Sequence, residues 1–472
     1  MGEGFSLPKN MATILERVET EGIAEMSYLV GDDVAGVAAV IDPRADVEVY
    51  LQLARKHRLS ITHIFETHVH ADLVSGSREL ADRCKPVCIC ASVEGGAKYG
   101  FEIQPVRDGD RFDFGKVKLT ARHTPGHTPE HMAYEAADQG KVQPWGVFTG
   151  DSLFVSSVGR PDLLGEGAEE LASQLYDTLF GYFGELDDGV MIYPGHGHGS
   201  PCGADIGDRL ESTIGYEKRT NPYFQITRRE KFVEHTLTTV PPEPRYYKRM
   251  KRLNAAGPEV LGHLPVVPAL SAHQFEEAIG ANGSTLVDTR HMLAFGGGHI
   301  RGAIHLAATP MLTLWAGWLL DPEQPILLVL EDDSMVDEVA ALFLRSGYTK
   351  FTGYLAGGMT AWDNMAGPLV RLPQMTVHQV NGGGNGLQIL DVRSPSEWKA
   401  GHIPNATHLF LPELEQAKDR LDPTQPVVTY CASGYRASIA ASLLQKEGFT
   451  DVRTIPGSWM AWKEADCPVS RE

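Results

Sequence analysis

Short apolar runs separated by polar turns fill the first half of the chain. GVAAVID (36–42), ITHIFET (61–67), VKLTARHT (117–124), WGVFTGD (145–151) and VMIYPGH (190–196) each close on Asp, Thr or His. Runs of this length, bounded by turn residues, predict buried strands. Polar residues at strand ends are where α/β proteins build their sites. The last 200 or so residues have a different texture, dominated by an internal repeat. LVDTR (286–290) returns as ILDVR (389–393), and GHIRGA (298–303) returns as GHIPNA (401–406), both at an interval of 103 residues. Two apolar strands follow, PILLVL (325–330) and PVVTYC (426–431), each leading through a helical pattern to GGMTAW (357–362) or GSWMAW (457–462). A unit of about 100 residues suits a small α/β domain and is too long for a solenoid repeat. PPEPRYYKRMKRLNAAGP (241–258) carries four prolines and clustered Lys and Arg, and reads as a connecting strap. The pattern predicts an α/β multidomain chain divided as 1–255, 256–371 and 372–472.

Composition narrows the function classes. A length of 472 residues suits about three domains. Lys and Arg number 42 against 61 Asp and Glu, a net charge of −19 that repels phosphate backbones and argues against nucleic acid. No run is long and apolar enough to predict a membrane span, and the N-terminal sequence has no apolar leader core. The six cysteines form no CxxC pair and are too sparse for a disulfide scaffold, so a reducing, cytoplasmic setting is expected.

Candidate chemistry in the first half rests on histidine and aspartate. THVHAD (67–72) sets His68, His70 and Asp72 at alternate positions just after an apolar run. His127 in TPGHT, Asp151 in FTGD and His196 in YPGH follow downstream. Neutral imidazole and carboxylate together suit zinc, iron or manganese. The order HxHxD, TPGHT, TGD, PGH resembles the metallo-β-lactamase superfamily over roughly residues 20–255. That resemblance implies an αββα sandwich with the metal at one edge of the two sheets. Dinuclear hydrolases of the superfamily, such as glyoxalase II, carry HxHxDH, but here Leu73 follows Asp72 and cannot bind metal. SSVGRPDLLG (156–165) looks like the persulfide dioxygenase branch. Similarity to that branch implies one mononuclear non-haem Fe(II) held by His68, His127 and Asp151, with three positions open for substrate and O2. His70, Asp72 and His196 would then orient ligands and water. Arg160 is a candidate for a carboxylate of the thiol carrier, or for a pair with Asp162. The alternative is a dizinc thioester hydrolase of the glyoxalase II kind.

In the second repeat, the loop Cys431, Ala432, Ser433, Gly434, Tyr435, Arg436 lies between a strand and a helix. Such a loop turns backbone N–H groups toward the sulfur and stabilises a thiolate, with Arg436 adding positive charge. With ILDVRSPSEWKAGHIPNA before it, the loop resembles the rhodanese family, a doubly wound α/β fold, and implies sulfur transfer through a Cys431 persulfide. Asp391, Arg393, Glu397 and His402 are expected to brace the structure. The first repeat sets Leu330 opposite Cys431 and Met335 opposite Arg436, with Glu331, Asp332 and Asp333 between them. It is expected to lack catalysis. Both resemblances together imply a bifunctional sulfur enzyme acting on a thiol persulfide, O2, and sulfite or thiosulfate. They also imply a dimer or tetramer.

Overall fold

Strand alternation in the first half feeds two apolar layers at once. A computed structural model describes residues 13–281, 283–383 and 386–471. It contains two compact units, one running to Leu264 and taking in Leu344–Gly347, the other made of Pro265–Phe343 and the chain from Tyr348 on.

In the first unit, β1 (Thr13–Thr20), β2 (Glu25–Asp32), β3 (Val37–Ile41), β4 (Ser60–Phe65), β5 (Cys88–Ser92) and β6 (Gln104–Val106) form one mixed sheet in sequence order. A second sheet has the order β12-β11-β10-β9-β8-β7, from β7 (Arg111–Phe114), β8 (Val117–His123), β9 (Met132–Asp138), β10 (Gly146–Gly150), β11 (Met191–Pro194) and β12 (Ser212–Thr213). Ala39 and Ile41 of β3 enter the apolar layer between the sheets, beside Tyr134 and Phe148 of the second sheet. Their neighbours Ala38 and Val40 face the other way, onto Tyr50 and Ala54 of the helix Glu48–His57. Val147 of β10 likewise packs against Leu175 and Phe232 of the helices Ala168–Asp177 and Arg229–Thr239. A strand buried on both faces has no polar face, which explains the continuous apolar runs. The layers are helix, sheet, sheet, helix, as the αββα expectation requires.

The strap contains a helix, Tyr247–Ala256, with Tyr247 and Met250 fully buried. The expected seam at 255 falls on its last turn, and the compact unit runs on to Leu264.

The second unit holds both repeats, each with its own parallel sheet. One is ordered β13-β17-β16-β14-β15, from β13 (Ala269–Leu270), β14 (Thr285–Asp288), β15 (Ile304–His305), β16 (Ile326–Val329) and β17 (Phe351–Leu355). The other is β19-β18-β20-β21, from β18 (Gln388–Asp391), β19 (Thr407–His408), β20 (Val427–Tyr430) and β21 (Val452–Thr454). The repeat extends to individual bonds. Arg290 reaches Asp288 at 2.6 Å and the Gly298 carbonyl at 2.8 Å, while its own carbonyl meets His305 Nε2 at 2.9 Å. Arg393 makes the same bracket with Asp391 at 2.6 Å, Gly401 at 2.8 Å and His408 at 2.9 Å. Among the described residues, no helix is long and apolar enough to cross a membrane.

Candidate functional site

The polar residues that close the apolar runs gather at one edge of the first unit. His68 and His70 follow β4, His127 follows β8, Asp151 follows β10 and His196 follows β11. Ligating atoms of His68, His127 and Asp151 lie within 4.8 Å of one another, the span of one ion's coordination sphere. His127 Nε2 is 3.4 Å and His68 Nε2 3.9 Å from Asp151 Oδ2. His127 Nε2 and Asp151 Oδ2 are buried and have no hydrogen-bond partner. A buried polar atom left unpaired is costly, and a cation at this point would satisfy both. The donor set therefore fits a metal.

Hydrogen bonding on the far side of each ring aims its free nitrogen. The Arg160 carbonyl can only accept, so His127 Nδ1 donates to it at 2.9 Å and Nε2 keeps its lone pair. Gly159 allows that approach, since a Cβ there would lie 3.0 Å from His127 Nδ1 and would collide with the Asp151 carbonyl. Thr67 Oγ1 donates to Asp42 at 2.8 Å and so accepts from His68 Nδ1 at 2.9 Å, which frees His68 Nε2. Burial pushes His68 and His127 far below the usual imidazole range, keeping both neutral. His196 joins two carboxylates, with Nδ1 on Asp151 at 2.8 Å and Nε2 on Asp72 at 2.7 Å. Burial opposes its charge, but Asp151 above all drives it well above its ordinary value. His70 sits against the His68 ring, centroids 4.3 Å apart, with its own Nε2 turned to Asp42 (3.1 Å) and Glu66 (3.4 Å). The Arg160 guanidinium is buried and doubly bonded to Asp162 at 2.8 Å, with a further bond to the Pro201 carbonyl at 3.0 Å. Of the two partners expected for Arg160, the structure supplies Asp162.

Three neighbours of the site carry no signal in the sequence. Cys202 brings its sulfur within 4.8 Å of ligating atoms of Asp72 and His196. His131 accepts the Asp151 backbone N–H at 2.9 Å, and burial holds this imidazole at about 3, hence neutral. Asn254, in the strap helix, donates to the His70 and Leu73 carbonyls at 2.9 and 2.7 Å and accepts from Ser75 N–H at 3.0 Å. The strap thus clamps the HxHxD loop.

In the second unit, Cys431 directly follows β20 and is 1 % exposed. Gly434 N–H donates to Cys431 Sγ at 3.1 Å, and Gly434 has φ +121°, a region that resists a side chain. Of the loop's backbone donors, this is the one that meets the sulfur among the described residues. The Cys431 N–H is held by Ser458 Oγ at 3.2 Å. Arg436 makes a two-point bond to Glu397, 2.7 Å at each oxygen, so its charge near the sulfur is partly balanced. Burial alone would raise the Glu397 carboxyl, but Arg436 and the Ser394 cap hold it at about 2. Leu330 in the first repeat is as buried as Cys431. The acids after it turn onto backbone: Glu331 accepts from His291 N–H, Asp332 from Ser334 N–H and Asp333 from Gly357 N–H.

Residues 22–196 match the metallo-beta-lactamase superfamily model, and residues 271–365 and 377–465 each match the rhodanese-like domain model. The mitochondrial persulfide dioxygenase ETHE1 of Bos taurus is 30% identical over 205 residues, covering 43% of this chain and 72% of that protein. The chain belongs to the metallo-β-lactamase superfamily, with two rhodanese-like domains following. Within the superfamily it is also similar to a hydroxyacylglutathione hydrolase of Gloeobacter violaceus, 29% identical over 227 residues, 43% of this chain and 85% of that protein. A Staphylococcus aureus crystal structure titled as a metallo-β-lactamase aligns with TM-score 0.66 and 32% identity, covering 73% of this chain and 99% of that one. This metallo-β-lactamase and rhodanese fusion is α/β throughout.

Proposed function

We propose that the chain oxidises a low-molecular-weight thiol persulfide with O2 at one iron(II), and separately moves sulfane sulfur through Cys431. The observation that carries the reading is the convergence of His68, His127 and Asp151 beside a leucine at position 73. Two neutral imidazoles and one carboxylate form the facial set of non-haem iron oxygenases. His68, His127 and Asp151 would hold the iron, which would supply the redox chemistry that O2 requires. The net change is persulfide plus O2 plus water giving thiol, sulfite and two protons.

The chain's own residues orient and seal this site. Arg160 and Thr67 fix the tautomers of His127 and His68. His196 steadies the Asp151 carboxylate from the side away from the two imidazoles. At the second site, the Cys431 thiolate attacks the outer sulfur of thiosulfate. The S–S bond breaks, sulfite leaves with the electron pair, and the Cys431 persulfide then passes its sulfur to an acceptor thiol. The same steps run in reverse. Six free cysteines are consistent with work in a reducing cytoplasm, and we place three functional modules at 1–255, 256–371 and 372–472.

O2 consumption by the iron-loaded protein, measured over a panel of persulfides, tests the reading. Persulfide-dependent uptake with sulfite as product is expected. Two zinc ions per chain, with thioester hydrolysis and no O2 uptake, would overturn it. That second reading, a dizinc hydrolase, is favoured by one observation: Asp72, His196 and Cys202 form a second three-donor group beside the first.

A further inference from the structure

The end of the Cys431 loop, Gly434 and Tyr435, packs against the repeat that has no cysteine. Tyr435 donates its hydroxyl to the Ala307 carbonyl at 3.4 Å and meets the His305 ring edge-on at 5.9 Å. The helix after the loop, Tyr435–Lys446, is tied to the same repeat by His305 N–H on Ser442 Oγ at 3.0 Å and by His299 with Gln445 at 3.1 Å. At the crest sits a different kind of contact. A Cβ placed on Gly434 would lie 3.1 Å from both Sδ and Cε of Met292. The Met292 thioether therefore rests on the residue whose N–H holds the Cys431 sulfur. Met292 opens the short helix Met292–Gly297, between an exposed His291 and an exposed Leu293. One interval of 103 residues later, the second repeat has Pro395 at this position, so the shared fold does not require a thioether there.

We propose that Met292 is a specificity-determining cap, supplied by the cysteine-less repeat, that sets which sulfur donors reach Cys431. Around it the loop is fixed by hydrogen bonds, and the cap is an unbranched side chain with freely turning bonds. Small donors such as thiosulfate slip past a partly displaced thioether. A persulfide on a bulky thiol must push it aside completely. The cysteine-less repeat then has a stated task in the sulfur chemistry, even though Leu330 takes no part in it. The inference rests on the transferase reading for its consequence, though not for its geometry.

The test uses the full-length protein and its variants Met292→Ala, Met292→Leu and Met292→Phe. Cys431 alkylation is followed by peptide mass, comparing iodoacetamide with a bulky aromatic maleimide. Met292→Ala should raise the bulky-to-small rate ratio about tenfold, the scale on which one apolar pocket discriminates. Met292→Leu should match the parent, because it conserves volume. Met292→Phe should lower the ratio, which keeps the idea falsifiable if the alanine variant folds poorly. Glutathione persulfide against thiosulfate, as donors to cyanide, should shift in the same direction in kcat/KM. Alkylation ratios in Met292→Ala and Met292→Phe both equal to the parent's would overturn the cap. So would a changed alkylation ratio with an unchanged donor preference. A parent protein that transfers no sulfur at all would sink the transferase reading instead, and alkylation would still decide on the cap.

Discussion

Asn254 stands in the connecting strap, far along the chain from the metal-site motifs, and yet closes three hydrogen bonds on the loop that carries His68, His70 and Asp72. Replacing it with alanine leaves two carbonyls and one N–H without partners, a cost of about 1–3 kcal/mol for a buried group. Asn254→Ala should lower the denaturation midpoint and the iron bound per chain, and both should recover on restoring asparagine. Calorimetry and metal analysis check this, and a variant with full iron and an unchanged midpoint would refute the clamp. His68, His127 and Asp151 were legible because each stands directly beyond an apolar run. Asn254, Cys202 and His131 were not, because folding brings them to the site and their local sequence carries no mark of it. Arg160 shows a further limit. Its side chain drew attention, while its main-chain carbonyl is what touches His127.

Among the elements, the helix Pro395–Ala400 joins local and tertiary bonding in one residue. Glu397 completes the capping box with Ser394 and also takes both nitrogens of Arg436. Its carboxyl stands at about 2 in the folded chain against an ordinary 4.5. A depressed carboxyl contributes stability that is fully present above the unfolded value and is lost as pH falls through the folded one. Glu397→Gln should therefore flatten the pH dependence of the urea midpoint between 4.5 and about 2 relative to the parent, read by tryptophan fluorescence. Equal slopes would show that the pair adds nothing to folding. Strands were the most readable elements, since burial on both faces leaves unbroken apolar runs such as β3. The helix Tyr247–Ala256 is masked in the sequence because three prolines cluster just upstream and its buried tyrosine and methionine are set among basic residues.

For the whole molecule, the two candidate sites lie in separate compact units. Cys431→Ser should abolish sulfur transfer and leave persulfide-dependent O2 uptake within about twofold, as sites that share no partners behave additively. Stripping iron with a chelator should do the opposite. Loss of both activities under either treatment would mean that the sites are not independent. The order of modules was legible because the repeat interval is constant. What the first repeat contributes was not, since Met292 gains meaning only from its place beside Gly434. The duplicated Asp–Arg–carbonyl bracket also carries history. Two copies that agree bond for bond around Arg290 and Arg393, yet differ at the nucleophile, point to one ancestral domain doubled in tandem.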